Sequence, residues 1–364
     1  MEKNDIIIIH GTDYKAMAKK VLIQADVASA IGSRDKQVAL KPNLVTAKDP
    51  SSGATTHSEL LAGVIEYLQE NGFNNITVME GSWVGDRTGE AFRAAGYDRV
   101  CRRYNVPFED LQKDTWTEYD AAGMKIKLCD KAAAVDYMIN MPVLKGHCQT
   151  TVTCALKNNK GVIPNSEKRR FHTLGLHKPI AHLNTIARND FILVDNICGD
   201  LDFEEGGNPV VMNRVLGFMD PVLCDAFVCD CMGYTPGDVP YITLAERLGI
   251  GSTDTAHANY IYLNQASEAD SKFRMTRRVQ GLAVYTSPQD ACSACYGSLI
   301  YALDRLNDSG YLRKGLPPVC IGQDYKGKEG AIGVGQCTSC FAKTLGGCPP
   351  KAADMVEFLK ENWK

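Results

Sequence analysis

Cysteines near the C-terminus are the residues whose spacing most clearly indicates chemistry. Two pairs, Cys292 with Cys295 and Cys337 with Cys340, each have two residues between them, and Cys348 follows in a Gly-Gly-Cys-Pro-Pro segment. Two intervening residues allow both sulfur atoms to bind one metal centre from a single turn of chain, and this spacing recurs in zinc and iron–sulfur sites. The pattern therefore predicts a metal site.

The number of candidate ligands favours an iron–sulfur cluster over zinc. The two pairs could form a four-thiolate zinc site, but that arrangement leaves Cys348 without a role. A Cys-Pro step and nearby glycines are typical of cluster loops, because small residues let backbone N–H groups approach the inorganic sulfides. The predicted ligands of one [4Fe–4S] cluster are Cys292, Cys295, Cys337 and Cys348. Cys340 is the alternative to Cys337, and zinc is the second choice of metal.

A second group of polar residues follows predicted strands in the first half of the chain. Lys41 and Asn43, then Ser82, then Lys145 and His147 come directly after short apolar runs. The carboxyl ends of parallel strands meet at one edge of an open α/β sheet, where ligands usually bind. We therefore expect these side chains to line one crevice.

The chemistry of this crevice suits a small anionic molecule, because amino, hydroxyl and amide groups bind carboxylates and phosphates. A helix predicted to begin at Thr56–His57, capped by threonine, would add free N–H groups and the positive end of its dipole. The predicted catalytic residues are Lys145, which offsets charge, and His147 and Lys157, which move protons. The predicted ligand-binding residues are Lys41, Asn43, Thr56, His57, Ser82, Asn158 and Lys160. Asp195 and Glu204-Glu205 are further candidates as acids, bases or cation ligands.

The elements that must position these residues are typical of a mostly parallel α/β sheet, because short apolar runs alternate with amphipathic stretches. The predicted strands are 6–9, 37–41, 76–80, 137–141, 191–195, 282–285 and 319–322. The predicted helices are 14–31, 57–70, 220–231, 242–248 and 352–363. The stretch from Lys145 to His177 is predicted to be a functional loop or excursion, since it is too polar for a buried element and too long for an ordinary connection.

These elements predict an α/β fold of mostly parallel sheets flanked by helices. We place a domain boundary at residue 235. Residues 1–235 form the predicted α/β domain with the ligand crevice, and residues 236–364 form a C-terminal α/β part that holds the cysteine-ligated cluster.

Composition excludes several classes of partner. Acidic residues number 43 and basic residues 40, so a nucleic-acid partner bound through bulk positive charge is not expected, nor is a membrane surface. Apolar runs are shorter than the roughly 20 residues that span a bilayer, and the N-terminus lacks the pattern of a cleavable signal. We predict a cytoplasmic protein, in which the 14 cysteines stay reduced and can bind metal.

Several short motifs resemble the domain of unknown function 362 family. In order along residues 37–235, they are Lys41-Pro-Asn-Leu-Val45, Thr55-Thr-His57, Pro142-Val-Leu-Lys-Gly-His147, Ala155-Leu-Lys-Asn158, Asp220-Pro221, Asp225-Ala226 and Met232-Gly233. The resemblance implies a parallel-sheet fold and an association with iron–sulfur clusters, but it supplies no established catalytic residues. The ferredoxin-type run of closely spaced cysteines that many members carry is absent from this sequence.

Three functions follow from these patterns. The first is a [4Fe–4S] protein of anaerobic redox metabolism, with a small anionic substrate and a redox protein as candidate partner. The second is a non-redox hydro-lyase-type enzyme whose open cluster iron acts as a Lewis acid. The third is a carrier without catalysis that holds a cluster or a structural zinc ion.

Overall fold

The computed structural model describes residues 1–201, 203–207, 209–265, 278–291 and 293–363. The chain divides into two compact units. Unit 1 comprises Met1–Arg169 and His177–Met275, and unit 2 comprises Arg170–Leu176 and Thr276–Lys364. Residues 236–265 thus group with unit 1, whereas the domain boundary at residue 235 stays a prediction.

Unit 1 is built on an eight-stranded sheet with the order β12-β1-β11-β10-β7-β2-β3-β4. Strand β11 runs antiparallel to both of its neighbours, and the other adjacent pairs are parallel. The predicted mostly parallel α/β fold is therefore confirmed. The strands described in unit 1 are β1 (Asp5–His10), β2 (Val38–Pro42), β3 (Ile76–Glu80), β4 (Phe108–Asp110), β5 (Trp116–Ala121), β6 (Met124–Cys129), β7 (Tyr137–Met141), β8 (Lys145–His147), β9 (Thr151–Thr153), β10 (Phe191–Asp200), β11 (Pro209–Phe218) and β12 (Asn259–Tyr262).

Helices cover the sheet of unit 1, so that β1 buries all six of its residues, as expected for a strand enclosed on both faces. The predicted helix 14–31 is divided at Asp26, whose left-handed φ of 51° ends the first segment. The helices that begin in unit 1 are α1 (Tyr14–Ala25), α2 (Val27–Ile31), α3 (Ser58–Glu70), α4 (Thr88–Ala94), α5 (Tyr97–Tyr104), α6 (Asp130–Ala133), α7 (Ala155–Asn158), α8 (Asn165–Thr173), α9 (His177–Leu183), α10 (Pro221–Cys231) and α11 (Pro240–Arg247).

A glycine allows two of these helices to pack closely. Helix α3 lies against α1, and a Cβ atom at Gly63 would come 2.5 Å from the carbonyl oxygen of Lys15. The buried apolar residues of both helices and of β1, β2 and β3 form one continuous core. This core fixes the strand ends that carry the polar residues of unit 1.

Unit 2 contains a smaller sheet with the order β13-β14-β15-β16, in which all strands are parallel. Its described strands are β13 (Thr286–Pro288), β14 (Val319–Ile321), β15 (Ile332–Val334) and β16 (Lys343–Leu345), and its helices are α12 (Arg278–Ala283), α13 (Ser293–Asp308) and α14 (Ala352–Asn362). The prediction of a strand over 282–285 is wrong, because Leu282 and Ala283 end α12 and the strand begins at Thr286. Periodicity does not distinguish a short buried helical segment from a strand.

Within the part of the chain that the structure describes, helices long and apolar enough to cross a membrane are absent.

A buried aspartate fixes the start of α10. Asp220 Oδ1 accepts hydrogen bonds from the N–H groups of Val222 (2.7 Å) and Leu223 (3.0 Å), and its Oδ2 accepts one from Ser252 N–H (2.9 Å). The side chain therefore caps the helix and holds a second segment beside it, with Pro221 in the favoured first helical position.

We expect Asp220→Ala to lower the free energy of unfolding by about 1–2 kcal/mol, because the first turn of α10 loses its acceptor. Asp220→Asn should lose less, since its amide oxygen still accepts both helical N–H bonds. Urea denaturation of the two variants measures the difference. Equal losses in both variants would contradict a role as hydrogen-bond acceptor.

Candidate functional site

A buried ion pair lies at the carboxyl ends of two neighbouring strands of unit 1. Lys41 of β2 and Glu80 of β3 have side chains only 0% and 4% exposed, with Lys41 Nζ 2.6 Å from Glu80 Oε2. Lys41 also donates to the carbonyl of Pro42 (2.9 Å), and Glu80 Oε1 accepts the N–H of Gly81 (2.7 Å). Burial lowers the pKa of Lys41 although Glu80 opposes the shift.

Glycine is required where the chain passes this pair. A Cβ atom at Gly161 would lie 1.8 Å from Glu80 Oε1 and 2.8 Å from Lys41 Cε. A larger residue would have to displace one of the two charged side chains. The ion pair therefore requires a glycine at position 161.

The three predicted catalytic residues converge on one glutamate. His147 Nε2 lies 3.0 Å from Glu204 Oε2, and Lys157 Nζ donates to Glu204 Oε1. Lys145 Nζ instead donates to the backbone carbonyl of Glu204 (2.9 Å), to Asn43 Oδ1 (3.2 Å) and to a further carbonyl at residue 54 (2.6 Å). The side chains of Lys145, His147 and Lys157 are at most 4% exposed, so these contacts form inside the protein.

The hydrogen bonds of His147 define which of its nitrogens carries a proton. Its Nδ1 accepts the N–H groups of Gln149 and Thr150, both at 3.0 Å, so that nitrogen is unprotonated and Nε2–H donates to Glu204. Burial and the nearby Lys157 ammonium lower the pKa of His147 to about 4, although Glu204 opposes them. At neutral pH this side chain is therefore a neutral hydrogen-bond donor.

Several buried lysines lie at this edge, with Glu204, Glu205 and Asp200 near Lys145. Burial is the main cause that lowers the pKa of Lys145 to about 8, of Lys160 to about 7 and of Lys168 to about 8. Burial alone would raise the pKa of Glu204, but Lys157 and His147 outweigh it and hold that pKa well below its ordinary value. The ammonium groups of these lysines can stabilise an anion at this edge.

Two of these lysines differ in how they are held. Lys168 donates to the carbonyls of Gly81 (2.8 Å) and Ser82 (2.9 Å). Lys160 is half-buried, and within the described parts of the chain its ammonium has neither a hydrogen-bond acceptor nor an ion-pair partner. Of the amino groups at this edge, that of Lys160 is therefore available to an added ligand.

Asparagines join the strand ends to α7. Asn43 Nδ2 donates to Asn158 Oδ1 (3.0 Å), and Asn158 Nδ2 donates to Asn140 Oδ1 (2.7 Å). Asn140 in turn donates to the carbonyl of Ala155 (3.0 Å). Asn43 and Asn158, predicted to bind a ligand, thus hold each other and the short helix that carries Lys157.

Two predicted hydroxyl groups bridge backbone segments. Thr56 Oγ1 accepts the N–H of Asn43 (2.9 Å) and donates to the carbonyl of Met141 (2.7 Å), while Ser82 Oγ donates to the carbonyl of Leu44 (2.5 Å). The expectation that a threonine caps the following helix is wrong, because α3 begins at Ser58 and has no side-chain cap. The hydroxyls satisfy buried backbone groups of the strand ends instead.

The prediction of a polar loop over Lys145–His177 is also wrong. This stretch forms β8, β9, α7 and α8, and a 3-10 helix at Asn159–Val162, with most of its side chains buried. Burial of so many polar groups is tolerated because they bind one another and the carbonyls of the strand ends. The prediction of a loop was based on polar composition, which does not show that these polar groups are buried and bonded to one another.

His57 lies in a separate row of three functional groups. Its Nδ1 and its backbone N–H lie 2.8 and 2.7 Å from Asp195 Oδ2, and its Nε2 lies 3.9 Å from Cys198 Sγ. Burial opposes a charged imidazole, but Asp195 and then Cys198 outweigh it and raise the pKa of His57 to about 11. A carboxylate, an imidazolium and a thiol thus form one chain of contacts, and Cys198 was not among the residues predicted for the site.

A second sulfur-containing group lies beside α7. Cys154 Sγ and Cys224 Sγ are 3.7 Å apart, and one oxygen of Asp225 completes a buried group whose ligand atoms all lie within 4.8 Å. Asp225 also accepts the N–H groups of Ala155 (2.7 Å) and Leu156 (3.3 Å), and burial raises its pKa to about 7. The carboxylate of Asp225 therefore accepts hydrogen bonds from the N-terminal N–H groups of α7. The three side chains of Cys154, Cys224 and Asp225 are also close enough together to bind one metal ion.

The C-terminal cysteines of unit 2 follow the carboxyl ends of its parallel strands. Cys295 lies on α13 after β13, Cys337 follows β15 and Cys348 follows β16. One small cavity is lined by Cys295, Ile321, Gly322, Gln323, Val334, Gly335, Gln336, Cys337 and Cys348. Cys340 is exposed and does not line this cavity, and Cys292 lies outside the described residues.

The spacing of these sulfur atoms is wider than in a zinc site. The ligand atoms of Cys295, Cys337 and Cys348, all of them described, do not all fall within 4.8 Å of one another. Four thiolates around zinc, with Zn–S bonds of about 2.3 Å, lie roughly 3.8 Å apart. The arrangement is thus more open than a tetrahedral zinc site.

Sequence comparison agrees with the motifs at the strand ends. The model of the family described as "Domain of unknown function (DUF362)" matches residues 38–230. The chain belongs to the DUF362 family. The matched region contains all the predicted site residues of unit 1. It ends before the C-terminal cysteines, so the family match gives no information about the cysteines of unit 2.

Two individual proteins are similar to this DUF362 chain. Thylakoid-associated protein sll1697 from Synechocystis sp. is 25% identical over 235 residues, which cover 60% of this chain and 69% of that protein. The lactate racemase apoprotein from Thermoanaerobacterium thermosaccharolyticum matches with a TM-score of 0.40 and 15% identity, over 63% of this chain and 58% of the racemase chain.

We expect Glu80→Gln to destabilise the protein by about 3–5 kcal/mol, because it leaves the buried Lys41 ammonium without its counter-ion. Lys41→Met in the Glu80→Gln background should cost less than Lys41→Met alone. Denaturant unfolding of the single and double variants gives the coupling free energy. Additive effects would show that the two side chains do not interact.

The His57–Asp195 pair predicts a defined pH dependence. Because the folded-state pKa of His57, about 11, exceeds the unfolded value of 6.5, its contribution is fully present below pH 6.5 and is lost as the pH rises towards 11. The difference in unfolding free energy between the native chain and His57→Gln should therefore shrink from pH 7 to 10. Exposed His257 provides the control, because His257→Gln should leave the profile unchanged.

Proposed function

We propose that this DUF362 protein is an iron–sulfur protein. In this proposal the C-terminal cysteines of unit 2 bind one [4Fe–4S] cluster, and the lysine-rich edge of unit 1 binds a small anionic substrate. The observation that carries the proposal is the convergence of Cys295, Cys337 and Cys348 on one cavity at the carboxyl ends of a parallel sheet. Cys292 is the proposed fourth ligand.

The surroundings of the cavity favour a cluster over a zinc ion. Gly322 and Gly335, with φ of 131° and 93°, follow β14 and β15 and face the cavity. At Gly335 the nearest atom to an added Cβ would be the carbonyl oxygen of Gly347 at 3.9 Å, which leaves room for an inorganic group and for N–H bonds to its sulfides. At Gly322 an added Cβ would instead lie 1.9 Å from the carbonyl oxygen of Gln289. The wide spacing of the sulfur atoms supports the same choice, because a cluster separates its thiolates further than one ion does.

The charge of unit 1 supports an anionic substrate. Lys145, Lys157 and Lys160 lie around the carboxylate of Glu204, and Lys41 and Lys168 lie near Glu80. A negatively charged molecule could bind among these ammonium groups through charge-assisted hydrogen bonds. Lys160, with a pKa of about 7, can both donate and accept a proton near neutral pH.

The roles of these groups follow from their protonation. Lys145 and Lys157 offset negative charge on the substrate, and the neutral His147 donates a hydrogen bond from Nε2. A bound cluster would supply one-electron transfer, with a redox protein as the source or acceptor of electrons. Proton transfer and electron transfer would thus be assigned to different parts of the chain.

Anaerobic purification tests the cluster. We expect iron and acid-labile sulfide in equal amounts, broad visible absorption, and an electron paramagnetic resonance signal on reduction. Cys348→Ser should lose most of the iron, whereas Cys340→Ser, a control of the same chemistry outside the cavity, should retain it. Stoichiometric zinc without sulfide would refute the cluster.

The Cys292→Ser variant separates redox from Lewis-acid chemistry. Loss of the cluster in this variant supports four protein ligands and electron transfer. A stable cluster in this variant, with a spectrum that changes on adding substrate at constant oxidation state, would refute the redox proposal in favour of the hydro-lyase alternative.

A further inference from the structure

The carboxylate of Glu204 occupies the lysine-rich edge as a bound ligand would. Its Oε1 accepts from Lys157 Nζ, and its Oε2 lies 3.0 Å from His147 Nε2. Each oxygen of one carboxylate thus has its own nitrogen donor from a different element, β8 or α7. Such paired donors recognise the geometry of a carboxylate group as well as its charge.

His147 and the helix that carries Lys157 are held in place independently of Glu204. Two backbone N–H groups orient His147 through Nδ1, and α7, which carries Lys157, is capped by Asp225 and attached to Asn140. The donors are therefore preorganised, and another carboxylate could use them without rearrangement of β8 or α7.

The side chain of Glu204 is nearer to solvent than that of the comparable Glu80, although Lys145 holds its backbone carbonyl. The side chain of Glu204 is 19% exposed, against 4% for Glu80, and it lies in the connection between β10 and β11, outside the strands and helices. Two glycines, Gly206 and Gly207, follow it with φ of 70° and 135°. The Glu204 side chain already reaches solvent, so it could leave His147 and Lys157 by moving outwards. This movement would not unfold a strand or a helix.

An amino group remains for a second polar atom of a ligand. Lys160 lies close enough to Lys157 and Glu204 for their charges to shift its pKa, and its ammonium has no hydrogen-bond acceptor among the residues described. A carboxylate ligand that carries a further oxygen could therefore bind Lys157 and His147 through its carboxylate and Lys160 through that oxygen.

We propose that the edge takes a small carboxylate, and that Glu204 occupies the carboxylate position until such a molecule displaces it. This inference rests on the proposed anionic substrate and narrows its class. The exchange replaces one carboxylate by another, so the buried ammonium groups keep a counter-ion throughout. A tethered competitor is present at an effective concentration in the millimolar range, and it weakens the apparent affinity for a free ligand accordingly.

Calorimetric titration of the full chain with sodium acetate, sodium malate and inorganic phosphate tests this inference. Glu204→Gln should bind at least one of the two carboxylates about tenfold or more tightly than the native chain, because the internal competitor has lost its charge. Glu118→Gln is the matched control, since this side chain is exposed on β5 and outside the lysine-rich edge, and it should bind like the native chain. The thermal midpoint of Glu204→Gln should fall, and the carboxylate should restore it.

The remaining outcomes separate this inference from the proposed function. If Glu204→Gln gains affinity for phosphate alone, the anion site stands and the assignment to carboxylates fails. If no anion binds to any variant, both fail. Glu204→Asp keeps the charge on a shorter side chain and guards against misfolding of the amide variant. The carboxylate affinity of Glu204→Asp should lie between that of the native chain and that of Glu204→Gln. An affinity equal to that of the native chain in both Glu204 variants would refute displacement.

Discussion

The structure of unit 1 depends on the compensation of buried ammonium groups at the strand ends. Lys41 and Lys145 are fully buried, and an uncompensated charge in such a place would cost several kcal/mol. Glu80 compensates the first inside a closed pair, whereas backbone and amide oxygens surround the second. The asparagine chain joins this arrangement to the short helix α7, because Asn43 accepts from Lys145 and donates to Asn158.

The sequence contained enough information to predict the sheet and much of the polar edge. Strands 76–80 and 137–141 were predicted with the observed bounds, because apolar runs enclosed by turn residues are distinctive of buried strands. Lys145, His147 and Lys157 were predicted as one group and do converge on Glu204. Lys145 and His147 were predictable at this edge because they follow the carboxyl end of β7, whereas Lys157 reaches Glu204 from α7.

Contacts between distant segments could not be predicted in the same way. The link between His57 and Cys198 joins residues 141 positions apart, and that between Cys154 and Cys224 joins residues 70 positions apart. Short-range spacing carries no signal for such pairs. The buried stretch after Lys145 was mistaken for a loop for a related reason, because its polar groups find their partners only in the folded chain.

The single reversal within the large sheet explains how Glu204 reaches the lysines. A strand that continued in the parallel sense after β10 would need a crossover of a dozen or more residues and would begin again at the opposite edge. Because β11 turns back beside β10, a brief hairpin connection stays at the edge where β10 ends. The antiparallel direction of β11 thus places Glu204 in contact with His147 and Lys157.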